Sequence, residues 1–509
     1  MERCGYRVRV RMARIYLLVF AAGFSSLGVE LTAARLLAPF FGTSTLVWAN
    51  VIGLTLLYLS VGYWLGGRIA DRWPTPRVLG SVVLLAAASV AVLPFATRPL
   101  LTLATEAFAD ISAGVLIGSF VAVLLAFAVP ITALGAVAPW AIRLSVTAVE
   151  EAGRISGRLY ALSTVGSLLG TFVSVLVLVP WIGTRRTLLV FALILAAAAL
   201  PLLPRVTLIV PAAIALLLLV PEQGVKAAPG DQIVWEGESA YQFVQVVDDE
   251  QGERVLRLNE GWATHSIKVG PSGLVGGYWD RAACLPAAIG RPRDGRLAVL
   301  GNAGGTTAVQ YARFWPTWRV DGVEIDPTVT EVGYRFLGMS EARLMVHEAD
   351  ARPWLEASDD RFDGIIVDAY HQPYIPFHLV TKEFFELVRN RLNPGGAVTI
   401  NVGSPPGYSE ALDRIAQTMA TAFPVVVQSQ VNDFNTVVTG YRDSGTAEGA
   451  VARLAAAPAP LTTICRQVGR NEVRITPTSN PLTDDHAPVE WLTDSALFAY
   501  LRDGAPGAK

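Results

Sequence analysis

Glu324, Asp350 and Asp368 each close an apolar run that reads as a β-strand, and His371 lies three residues past the last of them. Carboxylates at strand ends can hold ribose hydroxyls or an exocyclic amine. A carboxylate and an imidazole in one loop can move a proton. Ahead of them, the apolar run 297–300 ends in Gly301-Asn302-Ala303-Gly304-Gly305. Glycine lets a backbone turn sharply and approach a ligand with no Cβ in the way. Glu324 follows Gly301 by 23 residues, close to the spacing at which the acid closing a second strand reaches a ribose. Read singly, the loop is a tight turn and each acid a helix cap. Read together, three acids at the carboxyl ends of parallel strands share one sheet edge, which is where such sheets bind ligands.

The elements that must position these residues follow from periodicity. Strands are expected over 297–300, 318–323, 343–348, 362–368 and 397–402, with helices over 306–314, 327–336, 379–392 and 409–423. Runs 425–431 and 436–440 suggest a closing hairpin. Alternation over 233–267, with a turn near 248–252, predicts a small antiparallel β unit, and 278–289 a helix leading into the main sheet.

The first 222 residues are of another kind. The chain is 52% apolar and only 17% charged, and most of the excess lies before about residue 221. A bilayer crossing needs roughly twenty apolar residues. Seven stretches are read as spans: 15–37, 46–65, 78–97, 112–134, 159–181, 187–203 and 206–220, the last two short. Arg3, Arg7, Arg9, Arg11 and Arg14 precede the first span, and arginines recur after the second and fourth, so the N-terminus is expected in the cytoplasm. Seven full crossings would leave the soluble half outside. A re-entrant last segment would return it to the cytoplasm, the side expected from a nucleoside made there. Glu30 and Arg35 read as a contact within the bundle, and Gly62, Gly66, Gly67, Gly157, Gly166 and Gly170 as helix-packing positions.

The expected organisation is an N-terminal α-helical multi-span membrane bundle (1–222) and a linker (223–232). A small β domain with its lead-in helix (233–290), an α/β Rossmann-like, methyltransferase-type domain (291–445) and a C-terminal extension (446–509) complete it. A net charge of −2 argues against nucleic acid. Three cysteines are too few and too scattered for a disulfide framework or a zinc site, and the five histidines lack metal-ligand spacing. No metal is expected.

Several stretches carry a family resemblance: ESAYQ at 238–242, LNEG at 258–261, VEIDP at 323–327, EAD at 348–350, and above all IIVDAYHQPYIPFHLVTKEFFELVRNRLNPGG at 365–396. In these the soluble half resembles the spermidine synthases (polyamine aminopropyltransferases). GFSSLGVEL at 23–31, GRLYALSTVGSLLG at 157–170 and LTDDHAPVEWL at 482–492 extend the likeness to the membrane-fused spermidine-synthase-like proteins. The resemblance implies no tightly bound cofactor. It implies decarboxylated S-adenosylmethionine as cosubstrate and an amine such as putrescine as acceptor. By position, Gly301, Gly304, Gly305, Glu324, Asp350 and Asp368 would hold the nucleoside, Glu324 at the ribose and Asp350 at the adenine. Gln242, Tyr278, Asp280 and Tyr370 would line the amine site, and Asp368 with His371 would do the chemistry.

The chain departs from the family pattern at several places. His371 stands where the second acid of D-x-x-D is expected, Thr264 and His265 occupy the region of an expected glutamine, and the glycine loop lacks its acid. The implied partners are a small amine and the lipid bilayer of the cell membrane, with a homodimer left open. A S-adenosylmethionine-dependent methyltransferase on the same fold, or a nucleoside-sensing or transport-linked protein without catalysis, fits the loop-and-acid pattern equally well.

Overall fold

The computed structural model describes residues 2–41, 45–107, 114–220, 230–259, 263–371 and 374–503. The linker residues 221–229, and Glu260 and Gly261 of the LNEG stretch, lie outside the described residues. The chain divides into two compact units, Met1–Lys226 with Glu238–Ala240, and Ala227–Gly237 with Tyr241–Lys509.

The first unit is helical: α1 (Glu2–Phe41), α2 (Thr45–Arg72), α3 (Pro76–Ala107), α4 (Gly114–Gly135), α5 (Val137–Ser145), α6 (Ala152–Val173), α7 (Val179–Ala199) and α8 (Ile209–Leu217). Four stretches among the described residues are long and apolar enough to cross a membrane: Met12–Arg35, Pro76–Ala96, Leu124–Ser145 and Val149–Leu202. The last contains two of the expected spans, parted at Gly183, whose φ of +79° interrupts α7. The seventh expected stretch forms only the shorter apolar helix Arg205–Leu217. At about 1.5 Å per residue this helix falls short of a hydrocarbon layer about 30 Å thick.

Small residues set the helix approaches. A Cβ on Gly166 would lie 2.5 Å from the Phe20 carbonyl of α1, and one on Gly66 2.5 Å from Ala136 Cα. Gly62 and Gly170 meet backbone in the same way, whereas Gly67 and Gly157 face open space and are not contact positions. Arg35 donates to the carbonyls of Ser239 (3.0 Å) and Ala240.

The second unit opens with a four-stranded sheet, β1 (Gln232–Glu238), β2 (Phe243–Asp248), β3 (Arg254–Leu258) and β4 (Thr264–Ile267), in that order. One face of it buries Val244, Val246 and Leu256 completely, against Val329 and Val332. At about 1.5–3 kcal/mol per buried aliphatic side chain, that face fixes the small sheet to the larger domain. The expected lead-in helix is two short ones, α9 (Tyr278–Ala282) and α10 (Leu285–Ala288), with Pro286 early in the second.

Then follow β5 (Arg296–Leu300), α11 (Thr306–Phe314), β6 (Arg319–Glu324), α12 (Pro327–Phe336), β7 (Leu344–Glu348), α13 (Ala351–Ala357) and β8 (Phe362–Val367). The second half holds α14 (Lys382–Arg391), β9 (Leu392–Gly403), α15 (Glu410–Ala422), β10 (Val425–Gln430) and β11 (Asn435–Tyr441). The sheet order is β12-β10-β11-β9-β8-β5-β6-β7, where β12 is Val473–Ile475. Strands β5 to β9 pair in parallel, and β10 and β11 form the expected hairpin, antiparallel to β9 through β11. The order reverses between β5 and β8, which places the ligand crevice at their carboxyl ends.

The C-terminal residues are not an appendage. Helices α16 (Ser444–Glu448), α17 (Ala450–Leu454) and α18 (Leu461–Arg470) precede β12, which extends the sheet beside β10, and α19 (Val489–Asp503) follows. Two of the three scattered cysteines are joined: Cys284 bonds Cys465 across 181 residues, linking the start of α10 to α18.

Candidate active site

The glycine loop leaves β5 at Gly301, whose φ is +92°. A Cβ there would lie 2.5 Å from the Ala369 backbone, so the ends of β5 and β8 close on each other only because this residue is glycine. Every amide of the loop is engaged. Gly301 and Asn302 donate to the Val323 carbonyl, Gly305 to that of Asn302, Ala303 to Glu324 Oε2 (2.9 Å) and Gly304 to Ser266 Oγ (2.8 Å). A phosphate-binding loop needs amides aimed at its ligand. This one is committed internally, so a ligand at this edge would be held by side chains.

Glu324 ends β6, buried, with Oε2 on Ala303 and Oε1 accepting from the Asp326 amide at 3.0 Å. Burial outweighs those bonds and pushes its carboxyl up to about 7. A carboxylate has about four acceptor positions, so lone pairs remain for a diol. Asp350 follows β7 and caps α13 through the Arg352 amide at 3.2 Å. Its side chain is 43% exposed, and His378 Nε2 lies 3.9 Å away.

Asp368 follows β8 and anchors there by donating its amide to the Leu300 carbonyl at 2.8 Å. Its Oδ2 accepts from the Tyr278 hydroxyl at 2.9 Å, while Oδ1 is buried without a hydrogen bond. Burial raises the carboxyl to about 8, only partly offset by Tyr278 and the nearby Asn401 side chain. The same burial, with Asp368 beside it, pushes the Tyr278 phenol well above its ordinary range. Tyr278 is held in place by its stack on Trp279, centroids 4.1 Å apart.

Other expected site residues have hydrogen-bond partners of their own. Asp280, expected to meet the amine, is 2% exposed and turned into its own loop. It accepts from Val275 (3.1 Å), Gly276 (2.9 Å) and Gln310 Nε2 (2.6 Å), fixing the turn that presents Tyr278. The Tyr370 hydroxyl is taken up by β9, donating to Asn401 O at 2.9 Å and accepting from the Gly403 amide at 2.8 Å. Gln242 donates to Asp326 Oδ2 at 3.2 Å, next to the helix cap that this acid makes with Thr328. His371 is exposed, and its backbone pairs with Tyr374 in both directions, 2.8 and 3.0 Å.

Two residues given no role from sequence carry buried polar atoms without a partner. Asn401 lies two residues before the end of β9, 6% exposed, with Oδ1 unpaired. His265 lies on β4, its Nε2 buried without a partner. A polar residue near the end of the fifth strand was a readable signal for Asn401. The position of His265 depends on how β4 meets the loop.

Fold and site together define a Rossmann-like domain whose sheet-edge crevice is bounded by a glycine loop and three strand-end acids. Residues 290–441 match the family model "Spermine/spermidine synthase domain", and the C-terminal part of the chain carries that domain. The chain is 29% identical over 293 residues to a "probable polyamine aminopropyl transferase" of Bifidobacterium longum, covering 54% of this chain and 65% of that one. It is 30% identical to a polyamine aminopropyltransferase of Corynebacterium efficiens, covering 53% and 56%. The chain thus spans less than two thirds of the length of these relatives. A solved structure, a probable spermidine synthase from Corynebacterium glutamicum, is 18% identical with a TM-score of 0.39, covering 50% of this chain and 98% of that one.

Proposed function

We propose that this chain is a membrane-bound aminopropyltransferase that moves an aminopropyl group from decarboxylated S-adenosylmethionine to a small amine. The observation that carries this reading is the buried pair Asp368–Tyr278 at the carboxyl end of β8, facing a loop with no amide left for phosphate. Glu324 accepts from the ribose hydroxyls and Asp350 from the adenine amino group.

The acceptor arrives as an ammonium, with a pKa like that of lysine, about 10.4. Asp368, held near 8 by burial, is matched to take its proton. The freed nitrogen lone pair attacks the methylene carbon bonded to the sulfonium sulfur. The carbon–sulfur bond breaks, its electrons neutralise the sulfur, and the products are a thioether nucleoside and a secondary ammonium. His371, exposed at the rim, is placed to exchange protons with water.

The purified full chain, given each donor and a panel of amines, should add an aminopropyl group by mass spectrometry with the decarboxylated donor. Methyl addition from S-adenosylmethionine would replace this reading with a methyltransferase. Donor binding without any product would make the domain a sensor.

The helical unit is proposed to lie in the cell membrane with its N-terminus in the cytoplasm. Four apolar stretches of sufficient length and the arginines before the first support this. The protein should stay in the pellet on carbonate washing, and release without detergent would refute it.

A further inference from the structure

Strand β4 is fastened to the glycine loop at two successive residues. Ser266 Oγ accepts from the Gly304 amide at 2.8 Å, and Ile267 exchanges two backbone bonds with Thr306 Oγ1, at 2.8 and 2.9 Å. From the other side, Gly301 lies against Asp368 and Ala369. These bonds fix the backbone of the residue before Ser266 beside the loop, its side chain leaving the opposite face of β4 from Ser266 Oγ. That residue is His265, and its electrostatic neighbour is His371, three residues beyond Asp368. His265 Nε2, Asp368 Oδ1 and Asn401 Oδ1 are each buried without a hydrogen bond, the last two on side chains that lie beside each other. Buried polar atoms are almost always paired, so a group of unpaired ones calls for a ligand. The two oxygens are acceptors, and the imidazole nitrogen is one when its proton is on Nδ1. A ligand nitrogen bearing several N–H groups complements that set.

We propose that His265 binds the acceptor amine, its Nε2 accepting one N–H of the attacking nitrogen while Asp368 accepts another. This rests on the aminopropyl-transfer reading and adds to it how the nucleophile is aimed. With its N–H bonds drawn to two fixed acceptors, the nitrogen must turn its lone pair toward the donor carbon. His265 accepts a hydrogen bond and not the proton. Burial, assisted by the adjacent His371, holds its imidazole down to about 4, so it stays neutral wherever amines are nucleophilic. The proton goes to Asp368.

The test is calorimetric titration of butylamine and of putrescine into the full chain in detergent, saturated with 5′-methylthioadenosine. His265→Ala and His265→Gln are compared with the parent. A hydrogen bond to an ammonium corresponds to about tenfold or more in affinity. His265→Ala should weaken amine binding by at least that factor and leave 5′-methylthioadenosine binding unchanged. His265→Gln, which retains an acceptor, should recover most of the loss. In turnover, the amine KM should rise while the pH profile of kcat stays in place. Equal amine affinity of parent and His265→Ala overturns the assignment, as does a shifted pH profile, which would make His265 the base. The two readings fail separately. Amine binding that depends on His265 without turnover refutes the transferase and keeps this contact. Turnover indifferent to His265 does the reverse, and a parent that binds no amine refutes both.

Discussion

Removing the Tyr278 hydroxyl isolates the pair that the proposed chemistry depends on. In Tyr278→Phe the ring and its stack on Trp279 remain, and only the 2.9 Å donor to Asp368 Oδ2 is lost. That donor favours the ionised carboxylate, opposing the burial that raises the group to about 8. A hydrogen bond to a charged acceptor is worth about 1.5–3 kcal/mol. At about 1.4 kcal/mol per unit, its loss lifts the carboxyl by roughly one to two units more. The sign follows from the ionised form being the base: activity is absent below the carboxyl pKa and rises through it. The rising limb of kcat should move from near 8 to roughly 9–10, and the rate at pH 8 should drop roughly five- to fifty-fold. At the alkaline plateau the two enzymes should converge. The assay is initial rate against pH with both substrates saturating, with melting curves to confirm that the variant folds. The bound sulfonium lowers both limbs together, so the difference between profiles is the measured quantity. A limb that does not move, or moves to lower pH, refutes the role of Asp368 as base.

Two further outcomes follow from the loop and its neighbours. Glu324→Gln should weaken calorimetric binding of the decarboxylated donor by roughly tenfold or more, since charge-assisted bonds to the ribose are lost; unchanged affinity would remove Glu324 from the site. Gly301→Ala sets a Cβ 2.5 Å from the Ala369 backbone at a φ of +92°, and should cost about 1–3 kcal/mol of stability or more. An unaltered denaturant midpoint would show that the two strand ends can separate without penalty.

The legible parts of this molecule are those written locally. Pro327–Phe336 is a helix at the expected bounds because Asp326 caps it and Pro327 opens it. Glu324, Asp350 and Asp368 could be placed on one edge because strand polarity in a parallel sheet leaves no choice. What the sequence does not show is the set of distant partners these side chains meet. Asp280 occupies an acidic position of the resembled family, but Gln310 and the loop amides draw it inward. Tyr370 is tied to β9 through Asn401, 31 residues on. Asn401 carries no charge, so the pattern of acids at strand ends does not reach it. His265 lies on a strand of four residues whose register against the loop is set by Ser266 and Thr306. Strand β12 has three residues, two of them exposed, and only its pairing with β10 makes it a strand.

The bond between Cys284 and Cys465 turns most of the second unit into a covalent ring. Strands β5 to β11 lie inside the 181-residue circuit, and β12 lies just beyond its closure. In chain-entropy terms, closing so long a circuit removes on the order of 5 kcal/mol of freedom from the unfolded chain. The ring also alters what a single backbone cut can do. A cleavage within it, for instance in the exposed stretch at residues 443–445 ahead of α17, opens the circle without releasing a fragment. The two arms stay joined at the sulfur bridge, both still packed on the shared sheet, and only a reductant lets them part.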